Sequence, residues 1–452
     1  MNYIGSKYSL LPDIQRVLDN AGVPKSGTAL DLFAGTGIVA QYLKVRGHIT
    51  YANDWQHYSY LTCVAYLEHN GLPEFAMLLD DAGWSSRIYN AELLRGFPTC
   101  SVGPATPIPE ECPAARVLSY LSQIPGTPGP FYQAYCEGGS AGRQYFSSDN
   151  GQRIQAIRDQ VEMWGQDRLV SHEERAWLIA SLLEGSDRVA NTASVYGAYL
   201  KHIKRSAQRP LQLYVPIPPT SVYSPECHRA FCADSEDLLD QLSNTHLRLV
   251  YIDPPYNSRQ YNANYHILET VARWDLDKLN PRGVTGLRAS AENRSDYCLK
   301  SRVMAGFNRL LSKMNADYVL FSYNNEGLVS KPDLEELFST HCCAVHVEEI
   351  PYKRFRADLD SSSRVYKGDS TMEYLILGRF RRADVGRSAS TQQVSDVSSS
   401  DYRNTEVVGV PPSDRLEAGT HGRGDSLGSQ RGECFTQADE PVSVQPNQEV
   451  IC

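Results

Sequence analysis

The chain is 452 residues long, 41% of them hydrophobic, with a formal net charge of −9. That length exceeds what one hydrophobic core usually organises, so a main domain with an inserted or appended unit is expected. No run approaches the roughly 18 apolar residues of a membrane span, and "MNYIGSKYSLL" lacks a secretory pattern, so a soluble, cytoplasmic protein is expected.

An acidic chain argues at first against a nucleic-acid partner, because phosphate contacts come from Lys and Arg. The charge is unevenly spread, however. Basic clusters stand at 200–209 ("LKHIKRSAQR"), 352–356 and 379–382, which leaves room for a local basic cleft. The eleven cysteines are scattered without a CxxC pair, and His57, His202 and His266 have no carboxylate or second histidine at ligand spacing, so reduced thiols and no metal site are expected.

Along the chain, "TALDLFAG" (28–35) reads as a short strand ending in glycine, and "GIVAQYLKVRG" as the following helix with Gly47 as its C-terminal cap. "HITYAND" (48–54) reads as the next strand and "QHYSYLTCVAYLEHN" as the next helix. This βαβα rhythm predicts parallel strands covered by helices on both faces. Residues 71–209 break it with Pro/Gly-rich loops and long helical patterns, and read as an inserted, mainly helical unit. Strand signals resume at 247–253, 316–325, 342–352 and 371–380, the last two placed to pair antiparallel at the end of the sheet. From 383 to 452 the chain is rich in Ser, Gly, Asp and Gln and is expected to be a disordered tail. The expected organisation is therefore one α/β domain in two pieces, 1–70 and 210–382, around the insertion.

Two stretches carry chemistry. In "DLFAGTGIVA" (31–40), Gly35-x-Gly37-x-x-Ala40 follows a strand and opens a helix, which lets the backbone turn tightly and approach a cofactor. Asp54 ends the next strand about 20 residues on, where a carboxylate can bind ribose hydroxyls. These residues suit an adenosine-containing cofactor, either a nicotinamide or flavin dinucleotide or S-adenosylmethionine.

The second stretch, Asp253-Pro254-Pro255-Tyr256, ends a buried strand. In an open parallel sheet, ligands sit outside the carboxyl ends of the strands, so this tetrapeptide and the 33–37 loop should line one crevice. The prolines stiffen the turn and leave its carbonyls without competing amide donors. With Asp253 and the Pro254 carbonyl accepting both hydrogens of an aromatic amine, its nitrogen lone pair is freed toward a methyl donor. Tyr256 offers a stacking platform for a base rotated out of the duplex. The exocyclic amine of cytosine fits the same acceptors as that of adenine.

"NYIGSK" (2–7), "DLFAGTG", "ND" (53–54), "FCADS" (231–235), "DPPYNSRQY" and "FSYNNEG" (321–327) resemble, in that order, the Dam-like, alpha-class adenine-specific DNA methyltransferases. The resemblance spans about 2–380. It implies a Rossmann-like S-adenosylmethionine-dependent methyltransferase sheet acting on double-stranded DNA, with a target-recognition region between the two motifs and a restriction endonuclease as a frequent partner. It also implies cofactor contacts from Tyr3, Lys7, Asp31, Phe33, Gly35, Gly37, Asp54 and Asp234, and catalytic roles for Asp253, Pro254, Pro255 and Tyr256. The insertion is larger than in minimal members, so recognition residues do not carry over. Lys201, Lys204, Arg205 and Arg259 stand as candidate DNA contacts on charge and position. Competing readings are a cytosine-amine or RNA adenine methyltransferase, a nicotinamide oxidoreductase, which leaves the Asp-Pro-Pro-Tyr turn unused, and a DNA-binding module without activity. Cytosine carbon-5 chemistry is set aside because it needs a cysteine nucleophile, usually in a Pro-Cys pair, and the chain has no such dipeptide.

Overall fold

Short apolar runs assemble into a seven-stranded sheet in the computed structural model, which describes residues 6–100, 109, 111–193, 195–258, 261–288, 295–353 and 370–381. All of these fall within one compact unit, Met1–Val385. Tyr3, Arg259 and the 383–452 segment lie outside the described residues.

The first half runs α1 (Leu11–Asn20), β1 (Thr28–Asp31), α2 (Ile38–Arg46), β2 (Ile49–Asn53) and α3 (His57–Leu67). The inserted region contributes α4 (Ala76–Asp80), α5 (Ala82–Asn90), β3 (Thr99–Cys100), α6 (Pro113–Gln123), α7 (Pro130–Tyr135), α8 (Ser148–Gln166) and α9 (His172–Arg188). The chain then forms β4 (Val215–Pro216), β5 (Arg229–Phe231), α10 (Ser235–Gln241), β6 (Leu247–Ile252), α11 (Tyr261–Asn264) and α12 (His266–Arg273). It closes with α13 (Val303–Lys313), β7 (Ala316–Asn324), α14 (Lys331–His341), β8 (Cys342–Lys353) and β9 (Ser370–Phe380).

The sheet order is β5-β2-β1-β6-β7-β9-β8, parallel through β7, with β9 antiparallel to both of its neighbours. The expected antiparallel pair therefore forms, but β9 inserts between β7 and β8 and leaves β8 at the edge. Sequence reading did not mark β5 as a strand, because it is only three residues long and half-exposed. The first strand stops at Asp31, short of the expected Gly35; Gly35 and Gly37, farther along the turn, adopt left-handed φ of 54° and 70°.

Strand alternation sorts side chains onto two faces. Ala29, Leu249, Tyr251, Leu320, Leu375 and Leu377 pack with α1 on one side. Leu30, Val250, Ile252, Val319, Phe321 and Ile376 pack with α13 and α14 on the other. The same period puts Asp31, Asp253 and Glu373 on the α1 side, near the carboxyl ends of β1 and β6.

The helices of 71–209 do not form a separate core. Trp164, Trp177, Phe131 and Tyr135 are buried together with Tyr58 and Val64 of α3 and Ile267 and Val271 of α12. Ser171 caps α9 in a reciprocal capping box with Glu174, which fixes where that helix starts. Among the described residues no helix is long and apolar enough to cross a membrane.

Candidate active site

The loops after β1, β2, β5 and β6 meet at one cleft of about 1250 Å³, its open mouth included. Its geometry follows from the glycines. Gly37 is the left-handed N-cap of α2, and a β-carbon there would meet Cys63 Sγ at 3.1 Å. The tight turn lets Gly35 N–H donate to Asp54 Oδ2 at 2.9 Å, while Gln56 N–H donates to Asp54 Oδ1 at 2.8 Å. Burial raises the Asp54 pKa to about 6 against these donors. Asn53 fastens the base of the cleft: its amide donates to the carbonyls of Leu32 and Ala233 at 3.2 and 3.1 Å and accepts from Ala233 N–H at 3.1 Å. Asp31, at the end of β1, accepts from Ala40 N–H at 3.1 Å, and burial beside Asp253 pushes its carboxyl well above the usual range.

At one side of the cleft Phe33 meets Tyr297 edge-on, with ring centroids 5.3 Å apart. Tyr297 lies parallel to Phe307 at 5.7 Å, and its hydroxyl is 3.1 Å from Ser235 Oγ. Asp234 is the exposed N-cap of α10, accepting from Glu236 N–H at 2.8 Å. Phe33, Tyr297 and Asp234 all line the cleft.

On the other side stands the Asp253–Tyr256 turn. Lys7, 3% exposed, places its ammonium 3.2 Å from Asp253 Oδ1 and 3.5 Å from Glu373 Oε2. It also lies 5.2 Å from the centre of the Tyr256 ring. Burial opposes the Lys7 charge, but Asp253, Tyr256 and Glu373 outweigh it and hold its pKa well above the ordinary value. Asp253 is raised to about 7, first by burial and then by Glu373, against the pull of Lys7. Tyr256 reaches about 12, since burial and Asp253 outweigh the lowering effect of Lys7. The turn is held from behind by Leu328 N–H, which donates to the Tyr256 carbonyl at 3.1 Å, and by Tyr323, edge-on to Tyr256 at 5.9 Å.

Of the residues expected at the site, Lys7, Asp31, Phe33, Gly35, Asp54, Asp234, Asp253, Pro254, Pro255 and Tyr256 line this one cleft. Gly37 sits just behind it as the α2 cap. The cleft is acidic: Lys7 is the one basic side chain among its described lining residues. Sequence reading missed Tyr297 and Glu373, and quoted Asn53 within the "ND" motif without assigning it a role. The signal for Glu373 was present, as a lone carboxylate inside the apolar run "TMEYLILGRF", because an interior charge in a buried strand needs a partner.

The basic cluster lies apart from the cleft lining. Lys201 and Arg205 are exposed, whereas Lys204 is half-buried and donates to the Thr192 carbonyl at 2.7 Å. Ahead of the cluster, Tyr196 N–H donates to the carbonyl of Asn264, the last residue of α11, at 2.9 Å. Tyr145 bridges further, its hydroxyl 3.0 Å from the Tyr196 carbonyl and 2.9 Å from that of Thr285.

With this geometry in hand, comparison with known proteins is decisive. The family model of D12 class N6 adenine-specific DNA methyltransferases matches residues 3–331. The chain belongs to this family. The methyltransferase is 37% identical over 377 residues to the type II methyltransferase M.NlaIII of Neisseria lactamica, covering 83% of this chain and 98% of that protein. It is 32% identical over 370 residues to the modification methylase StsI of Streptococcus sanguinis, and 30% identical over 359 residues to the type II methyltransferase M.FokI of Planomicrobium okeanokoites. Those matches cover 81% and 79% of this chain but only 51% and 50% of the two relatives. No solved structure matches. The methyltransferase thus transfers a methyl group to the N6 amine of adenine in DNA, which sets aside the cytosine, RNA, oxidoreductase and inactive readings.

Proposed function

We propose that the cleft binds S-adenosylmethionine and that Asp253, Pro254 and Tyr256 receive a flipped adenine beside it, for site-specific methylation of double-stranded DNA. The observation that carries this reading is a cleft lined by the carboxylates of Asp31, Asp54, Asp234 and Asp253, with Lys7 as the one basic side chain among its described lining residues. A cofactor with a sulfonium and an ammonium is attracted to Asp31, Asp253 and Asp54, whereas the pyrophosphate of a dinucleotide is repelled by them. Asp54 is placed for the ribose hydroxyls, Phe33 and Tyr297 for the faces of the cofactor's adenine, and Asp234 for its polar edge. Lys7 stands at the methionine end of the cofactor, and Tyr3, the other residue expected there, lies outside the described residues. When bound, the cofactor supplies an electrophilic methyl group.

The chain's own residues then act on the target base. Asp253 and the Pro254 carbonyl accept the two hydrogens of the amine, and Pro255 keeps the turn rigid. Tyr256, backed by Tyr323, stacks on the base and offsets part of the few kcal/mol of unstacking. Residues 71–209 serve as the target-recognition region, with Lys201 and Arg205 as phosphate contacts, while the Lys204 ammonium is held by the Thr192 carbonyl and Arg259 lies outside the described residues. By analogy with the names of its relatives, the enzyme is the modification component of a restriction–modification system in a bacterial cytoplasm, with an endonuclease acting on the same site.

The test is transfer of labelled methyl from S-adenosylmethionine to unmethylated genomic DNA, followed by sequencing of modified bases. Label at N6 of adenine within one recurring sequence is the expected result. Tight binding of a nicotinamide dinucleotide, with no binding of S-adenosylmethionine, would overturn the cofactor assignment.

A further inference from the structure

Glu373 is a buried carboxylate to which the mechanism above gives no role. It is 2% exposed, on the same face of β9 as Leu375 and Leu377. Register explains how it arrives at the site: Asn324, the last residue of β7, pairs with Glu373, and Ile350 of β8 pairs with it from the other side. An ionised carboxylate at such a position costs several kcal/mol unless it is paired. Its Oε2 lies 3.5 Å from Lys7 Nζ, and the same ammonium lies 3.2 Å from Asp253 Oδ1. One cation is therefore shared by two carboxylates from different strands.

We propose that Glu373 is a positioning residue for methyl transfer, which by sharing the charge of Lys7 keeps Asp253 a strong hydrogen-bond acceptor for the target amine. The inference rests on the assignment of Asp253 as that acceptor. An ammonium devoted to Asp253 alone would direct its protons at the carboxylate and weaken it as a base. A second carboxylate draws the ammonium partly away and adds negative potential. The groups facing Asp253 are Lys7 from the N-terminal segment, Glu373 from β9, Asp31 from β1, Tyr251 from β6 and Tyr256 from its own turn. Lys7 is the one cation among them, so its division between two anions sets the balance.

The sign of the effect is fixed by this arrangement. Glu373 opposes ionisation of Asp253 and Lys7 favours it. Removing the Glu373 charge therefore lets Asp253 ionise at lower pH while making it a poorer acceptor. A residue that merely filled space would lower the rate without moving the pH at which it falls.

The experiment is single-turnover transfer of tritiated methyl from S-adenosylmethionine to unmethylated genomic DNA by the full chain, across about pH 5.5 to 9. Glu373→Gln is expected to move the acid limb down by about one pH unit and to lower the plateau by about 10-fold. Glu373→Asp, which retracts the charge but keeps it, falls between it and the parent enzyme. If Glu373→Gln does not fold, as judged by thermal unfolding, the downward shift must appear in Glu373→Asp. An acid limb that stays at the parent pH in the folded variants overturns the proposal. Asp253→Asn separates the two assignments: wild-type transfer by that variant sinks the role of Asp253 itself, whereas an inactive Asp253→Asn beside an unshifted Glu373 variant sinks only the role of Glu373.

Discussion

A carboxylate held at about pKa 7 is an unusual state for an aspartate, and in Asp253 its cause is burial, with one ammonium offsetting only part of the cost. Two consequences can be measured. If Asp253 accepts the target amine it must be ionised to do so, and transfer should fall as pH drops through about 7, seen as the acid limb of kcat/KM, which reports the free enzyme. If the cofactor's cationic part binds beside Asp253, as proposed, it favours the ionised form of that carboxyl. S-adenosylmethionine affinity should therefore rise with pH through the same region, and calorimetry in buffers of different ionisation enthalpy should record proton release. If Asp253 is the acceptor for the reacting amine, Asp253→Asn should cost about 100-fold or more in single-turnover rate even at saturating cofactor, with weaker S-adenosylmethionine binding beside it. Tyr256→Ala should cost less, because stacking of one base is worth roughly 1 to 3 kcal/mol, and Tyr256→Phe should retain most activity.

At the scale of elements, the turn between β1 and α2 does two jobs with one conformation. Its left-handed glycines cap α2 and bring Gly35 N–H onto Asp54, joining the two loops that frame the cleft. Gly37→Ala should destabilise the fold by roughly 1 to 2 kcal/mol from backbone strain alone, with the close Cys63 sulfur adding to it, and should weaken cofactor binding. Thermal unfolding and a cofactor titration check this. The β7–β9 pairing acts similarly: Asn324 and Glu373 are register partners, and the loop after Asn324 reaches back through Leu328 N–H to the Tyr256 carbonyl. The loop after β7, held to β9 by Asn325 N–H donating to the Met372 carbonyl at 3.0 Å, thus braces the Asp253–Tyr256 turn.

Across the whole molecule, a net charge of −9 coexists with an exposed basic segment around Lys201 and Arg205. If that segment meets phosphates, Lys201→Ala and Arg205→Ala should each weaken DNA binding across all sequences and reduce the salt slope of log Kd by about one. Single-turnover transfer at saturating DNA should stay at the parent level, since neither residue lines the cleft. Lys204 should behave differently, because its ammonium already holds the Thr192 carbonyl, and its loss should loosen the loop.

The sequence by itself determined the parts whose signals are local. Strand period, glycine spacing and the Asp-Pro-Pro-Tyr turn marked the α/β alternation and most of the cleft, because a backbone conformation and the residue that permits it lie next to each other in the chain. What depended on register and long-range packing was decided only by the tertiary structure. Glu373 looked like one residue in a strand until its pairing with Asn324 carried it across the sheet to Lys7, and Tyr297 had no mark until it met Phe33 edge-on. The inserted helices likewise read as a separate unit, yet Trp177 and Trp164 share a core with α3 and α12. Burial of a charge or an aromatic face is a property of what surrounds it, and those surroundings come from residues hundreds of positions away.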